Sequence, residues 1–240
     1  MNINAIMDRV LFTLSVPKCV CCKRRLSYGE SALCLKCSAE FHDFKTRNCS
    51  RCARVLNECD CSSSFLEGHF VRRTVKCFRY LGSETVTPAN ALIYSLKRDN
   101  REDVLRICTS ELAVAIENSV DNPESFIFTN VPRRKDAIVK YGIDHSELLA
   151  RSLAKRFGAE YRRILKSKAK KAQKSLEADE RFKNAEFCII DDRDITGRGV
   201  IIVDDIITSG ASMSKAAVLI RSLGSKDIVA ASLGIAYKDE

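Results

Sequence analysis

Two adjacent carboxylates stand within the segment VIIVDDIITSGASM, which runs from Val200 to Met213. Four apolar residues precede Asp204 and Asp205, and this pattern predicts a buried strand that ends at the acid pair. Two like charges side by side repel each other, and this cost falls when a ligand or a cation lies against them. Because carboxylates accept hydrogen bonds from hydroxyl groups and bind divalent cations, the pair is suited to a vicinal diol or to Mg²⁺.

The turn after this strand consists of small and hydroxyl-bearing residues, and a helix is predicted to follow at once. These residues are Thr208, Ser209, Gly210, Ala211 and Ser212. Backbone N–H groups at a helix N-terminus bind phosphate, and a glycine lets the backbone approach an anion closely. The loop is not a P-loop, because no lysine follows the glycine. A phosphate at one end and a diol at the other describe a ribose 5-phosphate; the alternative is a surface turn with a chance acid pair.

Cysteines are the second set of residues that could do chemistry, and the chain contains 12 of them. Eight fall into four pairs, three with CxxC spacing and one with CxC spacing: Cys19 and Cys22, Cys34 and Cys37, Cys49 and Cys52, Cys59 and Cys61. Two such pairs can place four sulfur atoms about 2.3 Å from one tetrahedral zinc ion, so we predict two structural zinc sites. The spacing permits joining the first pair with the second, or interleaving the pairs. A redox motif and an iron–sulfur cluster are the alternatives.

Three of the four remaining cysteines and one histidine are interpreted as structural residues and not as metal ligands. Cys77, Cys108 and Cys188 lie in predicted strands or helices and are expected to be core residues. His42 is expected to be a loop residue and not a spare metal ligand. Because no export signal is predicted, a reducing cytoplasm is expected, and this environment favours metal ligation over disulfides. Two four-thiolate zinc sites would lower the formal charge of +9 to about +5, which weakens the indication of phosphate-bearing partners.

Composition and periodicity define the elements that must position these residues. The chain is 45% hydrophobic and 30% charged, which is typical of a globular protein, and no apolar run approaches the roughly 18 residues of a membrane span. Asp8 and Arg9 interrupt the N-terminal apolar residues, so no signal peptide is predicted. We divide the chain into an amphipathic helix at 1–17, a cysteine-rich zinc-binding module at 18–65 and an α/β domain at 66–240.

Strands alternate with helices from about residue 70, which predicts a mainly parallel twisted sheet with flanking helices. Strands are expected within 69–82, 125–132, 186–191, 199–205 and 227–237, and another begins near residue 161. Helices are expected within 87–120, which holds two, and within 144–158 and 212–224. In such sheets ligands bind beyond the carboxyl ends of the strands, which is where the acid pair falls.

The segment VIIVDDIITSGAS resembles the 5-phosphoribosyl-1-pyrophosphate (PRPP) binding signature of the type I phosphoribosyltransferases. This resemblance implies the type I phosphoribosyltransferase fold. It also implies that Asp204 and Asp205 hold the ribose 2- and 3-hydroxyls, that residues 208–212 hold the 5-phosphate, and that Mg²⁺ accompanies PRPP.

A cysteine-paired N-terminal module followed by this signature resembles the ComF family of competence-associated phosphoribosyltransferase-like proteins. The resemblance covers nearly the whole chain. It makes Lys97 a candidate anion contact, and it assigns Arg133 and Lys135 to the pyrophosphate loop. A further family pattern is similar at Gln173, Leu176, Arg181, Asn184 and, one position early, Phe187. The family implies a role in natural transformation, with single-stranded DNA or DNA-processing proteins as partners.

One segment departs from the family, which usually reads Arg-Gly-Phe-Asn-Gln where this chain has YGIDH at 141–145. Tyr141 replaces the arginine that could meet pyrophosphate. His145 is interpreted as a surface residue in a first helical turn capped by Asp144, with a general base as the alternative. Lysines 166–174 are expected in a solvated loop, or else over the active site or on nucleic acid. Three functions stay open: a phosphoribosyltransferase, a PRPP or nucleotide sensor without turnover, and a single-stranded DNA-binding accessory protein acting through the zinc module.

Overall fold

The computed structural model describes residues 16–49, 51–82, 85–168 and 187–236. Several predictions fall outside these ranges. They concern the helix at 1–17 except its last two residues, the lysines from Lys170 onward, and Gln173, Leu176, Arg181 and Asn184. In the part of the chain that is described, no helix combines the length and the apolar composition needed to cross a bilayer.

Five parallel strands form the central sheet in the spatial order β1-β7-β6-β2-β3. They are β1 (Arg73–Arg79), β2 (Ile127–Asn130), β3 (Glu160–Tyr161), β6 (Gly199–Ile207) and β7 (Asp227–Ile235). Two short strands, β4 (Leu165–Ser167) and β5 (Phe187–Ile189), pair antiparallel in a separate sheet. The predicted parallel sheet is confirmed, and the near-continuous burial of β6 and β7 is typical of strands covered on both faces.

Helices flank the sheet at nearly all the predicted positions. The described helices are α1 (Leu35–Lys45), α2 (Ser64–Glu67), α3 (Pro88–Arg98), α4 (Glu102–Glu117), α5 (Lys135–Tyr141), α6 (His145–Phe157) and α7 (Ala211–Ser222). Thr87 and Asp144 cap α3 and α6 by accepting backbone N–H groups, and Gly158 ends α6 in the left-handed conformation. Helix α5 was not predicted, because its seven residues are too few for a periodic pattern.

The sheet has a separate apolar core on each face. Ile201 and Val203 of β6 belong to the core that includes residues of α3, α4 and α6, whereas Val200 and Ile202 belong to the core that includes residues of α2 and α7. This division follows from the alternation of side chains along a strand.

The first part of the cysteine-rich segment packs directly on the α/β domain. Phe41 and Phe44 of α1 lie with ring centroids 5.9 and 6.4 Å from that of Phe78 in β1. The backbone N–H of Ala32 donates to Asp103 at 2.8 Å. The first cysteine pairs therefore share a core with α3 and α4.

Two minor predictions are corrected. His42 lies on an exposed face in the last turn of α1 and not in a loop, because the CxxC turn at Cys34 leads straight into a helix. Cys188 lies half-buried on the short strand β5 and outside the core, whereas Cys77 and Cys108 are buried as predicted.

Candidate functional site

The acid pair lies near the carboxyl end of β6, which continues two residues beyond the predicted end. Asp204, Ile206 and Ile207 still pair with β7, so the ladder extends the strand to Ile207. The carboxylates therefore stand on a paired strand, and its backbone restricts where their side chains can lie.

Asp205 is 5% exposed and is bound by two cations. Lys97 Nζ lies 3.1 Å from its Oδ2, and an Arg133 guanidinium nitrogen donates to the same oxygen at 2.7 Å. Burial by itself raises the pKa of Asp205, but Lys97 and Arg133 outweigh burial and hold the pKa below its ordinary value. Sequence reasoning selected both cations as anion contacts, and the fold brings both of them to Asp205.

Asp204 has no cation among its described hydrogen-bond partners. Its Oδ1 accepts hydrogen bonds from Ser146 Oγ and from the backbone N–H of Asp205, each at 2.8 Å. Burial, followed by the charge of Asp205, raises the pKa of Asp204 to about 7. The two neighbouring carboxyl groups thus differ in charge state near neutral pH.

Residues 144–146, at the start of α6, lie beside this pair. Asp144 accepts from the backbone N–H groups of Glu147 at 3.2 Å and of Arg133 at 3.1 Å, so it fixes both the start of α6 and the Arg133 backbone. Ser146 is fully buried where it bonds to Asp204. The patterns in the sequence did not indicate Ser146; its only signal is its place in the first turn of a capped helix.

The prediction that His145 is a surface residue is wrong, since it is 1% exposed. The first turn of α6 faces the sheet, so His145 lies within electrostatic range of Arg133, Asp205 and Lys97. Burial, and then the charge of Arg133, lowers its pKa to about 4. The histidine is therefore neutral at pH 7. Lys135 lies exposed at the start of α5, and the side chain of Tyr141 lies outside what the structure describes.

Residues 208–212, which the sequence predicts to bind phosphate and which we call the phosphate loop, comprise the connection after β6 and the first two residues of α7. Thr208 is exposed, Ser209 and Ser212 are half-buried, and Gly210 and Ala211 are buried. Gly210 has φ +83° and caps α7; a Cβ there would lie 2.3 Å from Ser63 Oγ. Only glycine satisfies both conditions without strain. The Ala211 N–H donates to Ser209 Oγ at 3.4 Å, and the hydroxyls of Thr208, Ser209 and Ser212 lie at the start of α7. Hydroxyls at a helix N-terminus suit a phosphate.

The eight paired cysteines form two groups of four, and the pairs are not interleaved. The first group is Cys19, Cys22, Cys34 and Cys37, and the second is Cys49, Cys52, Cys59 and Cys61. All sulfur atoms of a group lie within 4.8 Å of one another. The sulfurs of Cys22 and Cys34 are 3.7 Å apart, close to the roughly 3.8 Å expected around a tetrahedral zinc with bonds of about 2.3 Å. Both donor sets therefore fit a structural zinc ion.

A buried lysine that sequence reasoning missed lies beside the second group. Lys76 of β1 is fully buried, and its Nζ donates to the backbone carbonyls of Cys59 and Cys61, the latter at 2.8 Å. The sequence feature that could have indicated it is a lysine between the apolar residues of a strand. A buried ammonium group there is tolerated only if it is paired or hydrogen-bonded.

Comparison with known proteins relates the second half of the chain to one family. Residues 125–236 match the family model described as the phosphoribosyl transferase domain. A 45-residue stretch is 51% identical to the ribose-phosphate pyrophosphokinase of Pyrococcus abyssi, and this match spans 18% of the chain and only 16% of the length of that relative.

Similar solved structures include two phosphoribosyltransferases. The purine phosphoribosyltransferase of Pyrococcus horikoshii is 14% identical with a TM-score of 0.37, over 55% of this chain and 82% of the other. The adenine phosphoribosyltransferase of Rhodothermus marinus is 17% identical with a TM-score of 0.35, over 62% and 72%. The family match and the parallel sheet together confirm the fold predicted from the sequence, and residues 125–236 form a phosphoribosyltransferase-type domain.

Proposed function

We propose that the protein binds PRPP with Mg²⁺ and transfers its ribosyl phosphate group to an acceptor, releasing pyrophosphate. The observation that carries this proposal is the arrangement along β6 and α7. An acid pair suited to a diol and a cation lies on the strand, and a helix-start loop suited to a phosphate follows three residues later. A diol site and a phosphate site that follow each other along the chain are what one ribose 5-phosphate requires.

In this proposal the residues divide the ligand between them. Residues 208–212 hold the 5-phosphate, and Asp204 and Asp205 accept hydrogen bonds from the ribose hydroxyls. Lys97, Arg133 and Lys135 contact the pyrophosphate. Because Lys97 and Arg133 bind Asp205 in the structure described, ligand binding is expected to move both cations from the carboxylate to the pyrophosphate.

The reaction replaces the bond between ribose C1 and pyrophosphate by a bond to the acceptor. Negative charge develops on the departing pyrophosphate, and the basic side chains near Arg133 would stabilise it. Mg²⁺, for which the two carboxylates are suitable oxygen donors, would add further charge stabilisation when bound.

A sensor that binds PRPP without turnover is the second candidate, and the state of His145 favours it. A base with a pKa of about 4 is too weak to take a proton efficiently at neutral pH. Acceptor activation, if the protein turns over, therefore needs a different group or a substrate that is already nucleophilic.

The two cysteine groups ahead of the transferase-type domain support the proposed relation to ComF proteins. We extend the proposal to a cytoplasmic role in natural transformation, with single-stranded DNA or a DNA-processing protein as partner. Direct DNA binding would weaken steeply with salt, because phosphate contacts release counterions. Titration of an oligonucleotide at two salt concentrations tests this extension.

Calorimetry with PRPP and Mg²⁺ tests the ligand site. The wild type should bind, and Asp204→Asn with Asp205→Asn should not, whereas the exposed Asp121→Asn should bind as the wild type does. Absence of wild-type binding, or equal binding by the acid-pair variant, overturns both candidate functions. Pyrophosphate release across a panel of bases and amines then separates them: release with one acceptor identifies a transferase, and binding without release identifies a sensor.

A further inference from the structure

The second cysteine group is attached to the edge strand of the central sheet by buried polar contacts. The fully buried Lys76 donates to the carbonyls of Cys59 and Cys61. On the same face of β1, Thr74 Oγ1 lies 2.8 Å from Ser62 Oγ. A buried ammonium is tolerated only while its acceptors stay in place, so these contacts define one position for residues 59–62.

The residues that follow this attachment reach the phosphate loop. Ser63 lies against Gly210, so closely that a Cβ on the glycine would come within 2.3 Å of Ser63 Oγ. Ser63 Oγ is buried, and no described residue is its hydrogen-bond partner, so the contact is one of packing. Leu66 of α2 is 1% exposed and belongs to the same core as Met213 of α7. Ser63 and Leu66 therefore form a wall behind the loop.

The first cysteine group has no such connection in the structure described. It lies against α4, where Ala32 N–H donates to Asp103 and Lys45 Nζ is 2.6 Å from Glu111. The two groups are alike in chemistry and both lie near β1, but among the described residues only the second group is followed by residues that reach the phosphate loop. This difference gives a matched comparison within one molecule.

We propose that the metal held by the second cysteine group keeps the phosphate loop in its binding shape, with Lys76 and Ser63 as positioning residues. The metal fixes residues 59–61, Lys76 holds the same residues to the sheet, and Ser63 and Leu66 pack against Gly210. Loss of this metal releases the wall behind the loop and lowers the affinity for the 5-phosphate end of the ligand. The pyrophosphate end, formed by residues on α3 and before α5, does not depend on it. This inference rests on the proposed function.

The test uses the full chain and two probes, ribose 5-phosphate and Mg²⁺-pyrophosphate, both measured by calorimetry. Cys59→Ser with Cys61→Ser removes the second site, and Cys19→Ser with Cys22→Ser removes the first. Each double variant should lose one zinc by metal analysis. The second-site variant should bind ribose 5-phosphate at least tenfold more weakly and bind pyrophosphate within twofold of the wild type. The first-site variant should bind ribose 5-phosphate within twofold of the wild type.

Equal weakening of ribose 5-phosphate binding by both double variants, or by neither, overturns the coupling. If the wild type binds neither ribose 5-phosphate nor pyrophosphate, the proposed function is overturned instead. Failure of the coupling and failure of the proposed function are therefore distinguishable.

A second variant keeps the test valid if metal loss unfolds the chain. Ser63→Leu adds bulk against Gly210 without touching a cysteine, so zinc content should stay at the wild-type value. Ribose 5-phosphate affinity should fall at least tenfold and pyrophosphate affinity should stay within twofold. Ser222→Leu, at the exposed far end of α7, should change neither. Wild-type ribose 5-phosphate affinity in Ser63→Leu contradicts the proposal.

Discussion

Asp204 and Asp205 are chemically identical neighbours with opposite electrostatic surroundings. Asp205 is ionised because two cations outweigh its burial, whereas the donors to Asp204 among the described residues are neutral and Asp204 lies next to a negative charge. Two adjacent carboxylates can therefore share a buried strand, because near neutral pH only one of them is fully charged. A bound cation or diol would act mainly on Asp204.

The affinity for ribose 5-phosphate with Mg²⁺ should rise from pH 6 to pH 8. The pKa of Asp204 is raised to about 7, so the group is mostly protonated at pH 6 and mostly ionised at pH 8, and a protonated carboxyl does not bind a cation. Calorimetry at several pH values measures this. Asp204→Asn should retain only the weaker dependence that comes from the ligand phosphate, whose second pKa is about 6. Parallel pH profiles for the two proteins would contradict this assignment.

His145 should make the fold sensitive to mild acid. Its pKa is about 4 in the folded chain and about 6.5 in the unfolded chain, so below pH 6.5 the unfolded state binds the proton first. The contribution of neutral His145 to the free energy of unfolding is fully present above pH 6.5 and is lost as the pH falls toward 4. At pH 5 the free energy of unfolding is lower by about 2 kcal/mol. Urea unfolding at pH 7.5 and pH 5 measures the loss.

His145→Asn should be less stable at pH 7.5 but should lose about 2 kcal/mol less than the wild type on acidification. The exposed His42→Asn is the control and should follow the wild type. Identical acid sensitivity of His145→Asn and the wild type would show that another group is responsible.

At the scale of elements, the starts of two helices build the site. Asp144 caps α6 and holds the backbone of Arg133, so one cap positions Ser146 under Asp204 and Arg133 beside Asp205. Gly210 caps α7 in the left-handed conformation, and a Cβ at this position would collide with Ser63. Each cap couples a helix to a segment distant in sequence.

Gly210→Ala should destabilise the fold more than Gly158→Ala. Both glycines have positive φ, +83° and +65°, so each substitution costs about 1 kcal/mol of backbone strain. A Cβ at Gly158 meets no atom within 4 Å, but at Gly210 it collides with Ser63 Oγ, which adds roughly 1–3 kcal/mol of overpacking. Urea unfolding of the two variants gives the comparison. If Gly210→Ala lowers the free energy of unfolding no more than Gly158→Ala does, Ser63 moves away from the new Cβ without cost.

For the whole molecule, the first cysteine group shares an apolar core with the α/β domain, whereas the second group forms a small cluster of its own with Leu56. Residues of the first cysteine group lie in one core with α3, α4 and α6, and Leu66, just after the second group, lies in the other core with α7. Metal binding and folding should therefore be coupled across the chain.

Zinc removal should lower the midpoint of a single thermal transition. Metal analysis of the purified protein should give close to two zinc ions per chain, since both donor sets fit the ion. Calorimetric scans before and after chelation should each show one transition, and adding zinc back should restore the midpoint. A second transition that responds alone to chelation would mean that the cysteine-rich segment folds independently, and iron in place of zinc would refute the metal assignment.

Contiguous patterns sufficed to predict the strand that carries the acid pair, the helix-start loop and most of the flanking helices. The signature from Val200 to Met213 and the four cysteine pairs could be read for the same reason. Each of these features is determined by residues a few positions apart, where periodicity and capping act. The boundary of β6 was placed too early, because pairing with β7 extends the strand beyond its most apolar part.

The contacts that shape the site join residues far apart in the chain, and no local pattern encodes them. Arg133 and Asp205 are 72 positions apart, and Lys76 is 17 positions from Cys59. The choice between paired and interleaved cysteine groups, the burial of His145 and the contact of Ser63 with Gly210 likewise depend on which elements pack together. Only the tertiary structure decided them, because packing brings charges and backbones within a few ångströms and changes their pKa values and their conformational freedom.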